Sequence, residues 1–507
     1  MAEPAQRLNF LGGMNRQPLQ GEGQVKLLTN ARPLVSGGLQ VRYGQSLYAS
    51  VGSDPTIGNV RYLFAYRTAA LGTRLYSIRH TPTSNKFFDN TTEITGPTLV
   101  SSGYIDMVEG RGTIFLTNAE THNIQYHVPG TSVRAEITNS FAGEELPLCK
   151  FIQVYRNRLY AWTSKGLRYT NAGIYTTLPA LHFADLNLVK VRAETVEPFG
   201  IGVGEDLLVM FTLDSYNIMM GVPGNEGARG SYTLKEYSGI GCGAPDTISS
   251  KGNMIIWIDT ERRVRMLKGP VIHDLDPNDS VAEFLHAADN LETATARILG
   301  REIWVSLPKS GSAVDRRILV YDLFFEKWVA EFTGIEGYAI AYLPEINAVY
   351  VGAHTGGYIW RQANGNYKPL TDSGALIPFE WIDGQLVFGT LWHKKIFEKI
   401  LVAYNLGASE SLNFSYAINE IDSYTSFELN GTVTQPDSNW GSDNWGAATW
   451  GGNPGMESTV LRPKTKEKVH AYSMRLKVSG DLSGGTVIYG AKAYAEELER
   501  DGESGII

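Results

Sequence analysis

The stretch 252-GNMIIWIDTERRVRMLKG-269 decides the fold. A polar turn leads into MIIWI, apolar at every position, and a charged turn then leads into a second strand, VRMLK. A short all-apolar run bounded by turn residues suits a strand buried on both faces. The same order recurs as 61-RYLFAYRTAALGTRLYSI-78, 112-GTIFLTNAETHNIQYHV-128, 156-RNRLYAWTSKGLRYTNAG-173 and 205-EDLLVMFTLDSYNIMMG-221. It continues as 301-REIWVSLPKSGSAVDRRILVYDL-323 and 347-NAVYVGAHTGGYIWRQ-362. Aligned on Tyr62, Ile114, Leu159, Leu207, Met254, Ile303 and Val349, the units lie 52, 45, 48, 47, 49 and 46 residues apart. Repeats of about 40–50 residues with two clear strands each mark propeller blades rather than helical solenoids. The intervening stretches are long enough for the outer strands of each blade. The expectation is an all-β chain with a six- or seven-bladed β-propeller over 41–370. Regular spacing disfavours the competing arrangement, unrelated hairpins stacked in a sandwich.

Composition agrees. Charged residues make up 19% of the 507, below the roughly 25% typical of soluble domains. Gly reaches 54, with 26 Tyr and 10 Trp, a balance that favours strands and turns over helices. The net charge of −8 argues against a broad basic face that grips nucleic acid, but not against a surface past which DNA slides. The opening residues, MAEPAQRLNFLGG, contain no apolar signal core, and no run approaches the roughly 20 apolar residues that span a bilayer. Cys149 and Cys242 stand alone, which points to folding in a reducing cytoplasm.

Past residue 370 the repeat stops. The segments 377-IPFEWI-382, 385-QLVFGTLW-392, 396-IFEKILVAYNL-406, 411-SLNFSYAIN-419, 472-YSMRLKVSG-480 and 485-GTVIYGAKAYA-495 read as strands of a β-sandwich over 371–495. Residues 1–40, rich in Gly, Pro and Gln, read as an extended arm, and 496–507 as an acidic tail. A long gap in the sandwich holds 439-NWGSDNWGAATWGG-452, with Trp440, Trp445 and Trp450 five residues apart. Neither a helix nor a strand gathers that spacing on one face, so a folded loop is expected. Its tryptophans could stack on sugar, anchor a partner, or fold back as a small local core.

Other constellations carry little chemistry. The runs 200-GIGVGED-206 and 239-GIGCGAP-245 lead toward strands, whereas a phosphate cradle needs a helix N-terminus behind it. The nine histidines include no metal-binding spacing, and 273-HDLDPNDS-280 lacks the central Gly and distal Glu of a calcium loop. Many propellers hydrolyse glycosides, but neither a sialidase-type repeat nor a nucleophile elbow is present. The expectation is no enzyme, no cofactor and no metal. A carboxylate pair facing across the central funnel would favour a hydrolase instead. The basic clusters 261-ERRVRMLKG-269 and 462-RPKTKEK-468 read as solvated or subunit-facing edges.

One combination rises above fold class. The arm reads 10-FLGGMNRQ-17 and 26-KLLTNARPLVSGGLQVRYG-44 before the hairpins begin, and 231-SYTLKEYSGIGCGAPDTISSKGNMIIWIDTERRVRMLKG-269 runs into a buried strand. Together with PFEWIDGQLVFGTLWHKKIFEKILVAYN at 378–405, these segments resemble the tail nozzle family of short-tailed bacteriophages, which includes packaged-DNA stabilisation proteins. Arg262 and Arg263 replace the Gly usual before the second strand of that pattern. The resemblance implies a homohexameric ring in the virion tail, beneath the head-to-tail adaptor or portal ring. That ring would extend the channel for double-stranded DNA, retain the genome and carry tail fibres or spikes. In such a protein Trp440, Trp445 and Trp450 would anchor a neighbouring subunit, adaptor or fibre. The alternatives are another tail-tip or fibre-attachment protein and a carbohydrate-binding or carbohydrate-cleaving propeller.

Overall fold

In the computed structural model the chain is almost wholly β, with one short helix, Ala282–Ala287, among the described residues. The structure describes residues 5–7, 14, 25–34, 38–50, 58–101, 104–118, 122–139, 144–171, 180–181, 183–191, 197–225, 228, 230–312, 315–362, 369, 371–383, 395–406, 410, 412–418, 425–427, 457–461, 469–471, 473–484 and 486–497. Trp440, Trp445 and Trp450, the segment 462–468 and residues 498–507 of the acidic end lie outside the described residues, whereas Glu496 and Glu497, read as tail, end the strand Val487–Glu497.

Seven four-stranded antiparallel blades follow one another. Their first strands are Val60–Thr68, Met107–Gly110, Phe151–Tyr155, Gly200–Val203, Ala244–Lys251, Thr295–Leu299 and Ala339–Leu343. First strands of consecutive blades from 2 to 7 touch, and that of blade 7 packs on that of blade 1. Blades 1 and 2 share a core around Tyr76, Ile78, Phe87, Ile114 and Leu116. The blades therefore close into a ring with their first strands innermost. Among the two numbers open from sequence, the answer is seven.

The phase of the repeat differs by one strand. Tyr62 lies on the innermost strand of blade 1, whereas Ile114, Leu159, Leu207, Met254, Ile303 and Val349 lie on second strands. That offset accounts for the outlying spacing of 52. Second strands are flanked by two strands within the sheet and covered by a blade on each face. Arg158–Thr163 and Leu207–Phe211 are accordingly buried at every position. Neighbouring blades also satisfy buried indole N–H groups: Trp162 of blade 3 donates to the Phe211 carbonyl of blade 4 at 3.1 Å, and Trp328 of blade 6 to the Leu275 carbonyl at the end of blade 5 at 3.0 Å.

Blade 7 takes its fourth strand from the beginning of the chain. Gln45–Ala49 pairs antiparallel with Ile359–Gln362, so the two ends of the propeller are joined within one sheet. The segment read as an arm contributes further. Val25–Thr29 inserts between the outer strand of blade 6, Lys327–Phe332, and Ile377–Asp383, creating a nine-stranded sheet that runs from propeller into sandwich. Ala31–Pro33 and Leu39–Val41 extend the second, seven-stranded sheet of the sandwich. One apolar core spans both units, uniting Ile256, Val305 and Trp328 with Trp381, Leu476 and Ile488.

A polar clasp holds this junction. Arg42, 4% exposed, places Nη1 at 3.0 Å and Nη2 at 2.5 Å from the two carboxylate oxygens of Asp372, and its Nε donates to Asn30 at 2.9 Å. Asn30 adopts φ 57° and donates through its side chain to Thr333 and to the Pro378 carbonyl. Asp372 also accepts from the Gln45 backbone N–H. A Cβ at Gly44 would stand 1.9 Å from the Thr371 carbonyl oxygen, so only glycine fits there. Replacing Arg42 by Met should destabilise the protein by about 2–4 kcal/mol, because Asp372, only 15% exposed, would be left without its cation. Denaturant titration measures this, and a loss under about 1 kcal/mol would mean that the clasp is dispensable.

Candidate functional site

The ring brings the beginnings of its innermost strands to one mouth of the axial channel. Polar side chains from opposite blades meet there. Asp246 of blade 5 accepts on Oδ1 from the Tyr62 hydroxyl of blade 1 at 2.8 Å and from the Tyr104 hydroxyl, at the start of blade 2, at 2.7 Å. Blade 5 stands across a seven-membered ring from blades 1 and 2, so these bonds cross the axis. Tyr62 and Tyr104 meet edge to face at 5.4 Å, and Tyr104 continues onto Phe151 of blade 3 at 4.6 Å. The channel is therefore bridged by side chains at this level. A duplex whose major groove alone is about 12 Å wide cannot thread it.

Blade 6 completes the mouth. Arg297 donates through Nη1 to the Asp246 and Ala296 carbonyls at 2.9 and 2.7 Å, and Thr295 donates to the same Asp246 carbonyl. Arg316, 5% exposed, donates through Nη2 to the Thr293 carbonyl and hydroxyl, and its guanidinium lies 4.4 Å from the Tyr338 ring centroid. Tyr338 packs edge to face on His354 of blade 7 at 5.1 Å.

Tyr62, Tyr104, Asp106 and Asp246 keep partial solvent contact, yet protein surrounds them closely enough to shift their protonation. A narrow channel mouth produces that combination. Burial pushes the Asp106 carboxyl up to about 7, against the opposing pull of the Ile152 and Met107 backbone N–H groups. Burial also raises Asp246, against the two tyrosine hydroxyls and Arg297. Both tyrosines are driven well above their usual range, first by burial and then by the Asp246 charge. Burial lowers Arg316 to about 10, so it remains a cation at neutral pH.

Asp106 and Asp246 are the nearest approach to a carboxylate pair at the funnel. Each has structural commitments: Asp106 binds one backbone N–H with each oxygen, and Asp246 holds two tyrosines.

The arginines of the basic cluster at 261–269 are engaged internally, and Lys268 is exposed. Arg262 caps the end of the short helix through the Leu285, His286 and Ala288 carbonyls at 2.9–3.0 Å. Arg263 and Arg265 pair with Asp274 at 2.9 and 3.2 Å, and Arg265 also pairs with buried Asp259 at 2.7 Å. Asp276 accepts from the Ser280 and Val281 backbone N–H groups. The acidic run is thus spent on arginines and a turn, and the described residues contain no cluster of three potential metal ligands. The glycine runs serve close approach: a Cβ at Gly241 would stand 1.9 Å from the Leu213 carbonyl oxygen. Cys149 and Cys242 are buried and form no disulfide. A further cleft of about 640 Å³, lined by Thr29, Arg317, Glu331, Glu380 and Asp481 among others, lies on the nine-stranded sheet, where Arg317 pairs with Glu331 at 3.6 Å and Glu380 with Lys477. No described helix is long and apolar enough to cross a membrane.

No family model and no curated protein matches the chain. Among solved structures it is similar to the computationally designed Ika8 protein, at 10% identity and TM-score 0.39, over 63% of this chain and all of that one. It is also similar to the extracellular domain assigned to a one component system of B. thetaiotaomicron, at 9% identity and TM-score 0.45, over 81% of this chain. The match spans 58% of that protein's chain. The fold described above rests on the chain's own sheets.

The axial residues generate a pH dependence. A carboxyl raised in the folded state binds its proton more tightly there than in the unfolded chain, so its cost is present at high pH and lifts as pH falls toward the unfolded value of about 4. Asp246→Asn keeps an acceptor for both tyrosines and removes the charge. The variant should melt about 1–3 °C above the parent at pH 8, with the gap closing toward pH 4. Calorimetry across that range checks it, and a variant that is less stable at pH 8 would show that the tyrosine bonds outweigh burial.

Proposed function

We propose that the protein is a non-enzymatic virion structural subunit, a tail nozzle whose copies form a homohexameric ring below the head-to-tail adaptor or portal ring. The observation that carries this reading is the nine-stranded sheet from blade 6 through Val25–Thr29 into the sandwich. Backbone hydrogen bonds continuous across two units suit a wall that must resist the pressure of packaged DNA without hinging. The bridged propeller axis also fits. If DNA passes through this assembly, it runs between subunits around a common axis, not through any one propeller.

The surface supports the same role. Arginines of the 261–269 cluster are bound to carboxylates and helix carbonyls, so they offer little to phosphate. DNA could leave such a lumen without strong retention by salt-dependent phosphate contacts. Exposed apolar side chains at several blade edges, Leu186, Val133 and Phe324 among them, suit side-to-side contacts of a closed ring. Tail fibres or spikes and Trp440, Trp445 and Trp450 belong to this proposal as partner and partner contact.

Quantitative peptide mapping of purified, DNA-filled particles tests it. About six copies per tail would support the ring. Absence from particles, with the protein found free, would overturn the virion assignment.

A further inference from the structure

We infer that the axial mouth of the propeller holds a binding site for a compact oxyanion, a carboxylate or phosphate-type group, on Arg316 and Arg297. This goes beyond the nozzle reading and does not depend on it. Arg316 is nine-tenths buried and still cationic at neutral pH, yet every acceptor it reaches is neutral: the carbonyl and hydroxyl of Thr293. Its Nε and Nη1 are buried and bonded to nothing in the protein. Buried charges are ordinarily paired, because leaving one uncompensated is strongly destabilising. The Tyr338 face covers one side of the guanidinium at 4.4 Å but supplies no acceptor.

The neighbours repeat the pattern. Arg297, partly buried in the channel mouth, donates to backbone carbonyls and makes no ion pair with the described residues. His354 Nδ1 is a further buried ring nitrogen without a partner, and its ring abuts Tyr338. Asp246 is the carboxylate whose charge reaches both arginines, but neither guanidinium bonds its carboxylate, whose Oδ1 is taken by two tyrosines. Two guanidiniums with donors left over, beside an imidazole at the narrow channel mouth, are suited to an oxyanion through charge-assisted hydrogen bonds.

The test is a titration of the intact protein with sodium sulfate and, separately, sodium acetate, followed by thermal unfolding against chloride at matched ionic strength. Site binding raises the midpoint saturably, as a ligand that binds the folded state must. General salting-out by sulfate rises without saturation and is the same in any variant. The expected result is saturable stabilisation in the parent, at least tenfold weaker binding in Arg297→Gln, and partial retention in Arg316→Lys. Saturation by sulfate assigns a tetrahedral ligand, and by acetate a planar carboxylate. Should Arg316→Lys fail to fold, Arg297→Gln alone decides, since that side chain keeps partial solvent contact. Non-saturating curves, or equal affinity in the parent and Arg297→Gln, would overturn the inference.

Discussion

The bidentate pair between Arg42 and Asp372 holds together what the rest of the molecule depends on. A ring of blades built from one chain has a seam where its ends meet, and here 330 residues separate the two partners. Closing so long a loop costs entropy that grows only slowly with length, so a modest set of good interactions can hold it. The clasp supplies them in one place. Arg42 orients Asn30, Asp372 receives the first N–H of the closing strand at Gln45, and Asn30 reaches Thr333 and Pro378. Blade 6, blade 7, the closing strand and the sandwich are thereby fixed by one buried network.

Closure has an electrostatic consequence at the axis. Seven innermost strands converge, and the polar groups at their beginnings are pressed into little solvent. Asp246 survives there because two hydroxyls share one of its oxygens, and Asp106 because two backbone N–H groups meet its carboxylate. Arg316 has no equivalent. A cation enclosed by carbonyls and an aromatic face is costly by the same reasoning that makes the clasp strong, since the difference lies in whether a carboxylate is present.

The blades were legible in the sequence because their second strands are buried on both faces, and MIIWI or LLVMF announce that with no help from neighbours. Phase was harder. RYLFAYR is apolar enough to imitate a second strand, although Tyr62 points its hydroxyl at the axis. The closing strand, QSLYA at 45–49, is short and half-exposed, and nothing local distinguishes it from a loop. Arg42 and Gly44 fall within a stretch whose resemblance drew notice, but their partners lie more than 300 residues away. The axial group was beyond reach for a similar reason. Tyr62, Tyr104, Asp246, Arg297 and Arg316 come from four blades at no fixed interval, and only ring closure makes them neighbours.

Where the cations go bears on how the proposed nozzle surface would meet DNA. A net charge of −8 treats all 45 Lys and Arg alike. Yet Arg42, Arg79, Arg134, Arg158 and Arg316 are buried, bonded to carbonyls, amides, hydroxyls or one carboxylate. Arg262, Arg263 and Arg265 are tied into the cap and turn of one blade. Donors held inside cannot displace counterions from a phosphate backbone, which is the step that gives nucleic-acid affinity its strength. The contact surface is thus poorer in usable cations than composition alone indicates. On the proposed reading this is an advantage for a wall past which a genome must slide, and it arises because the arginines are needed to hold the propeller together.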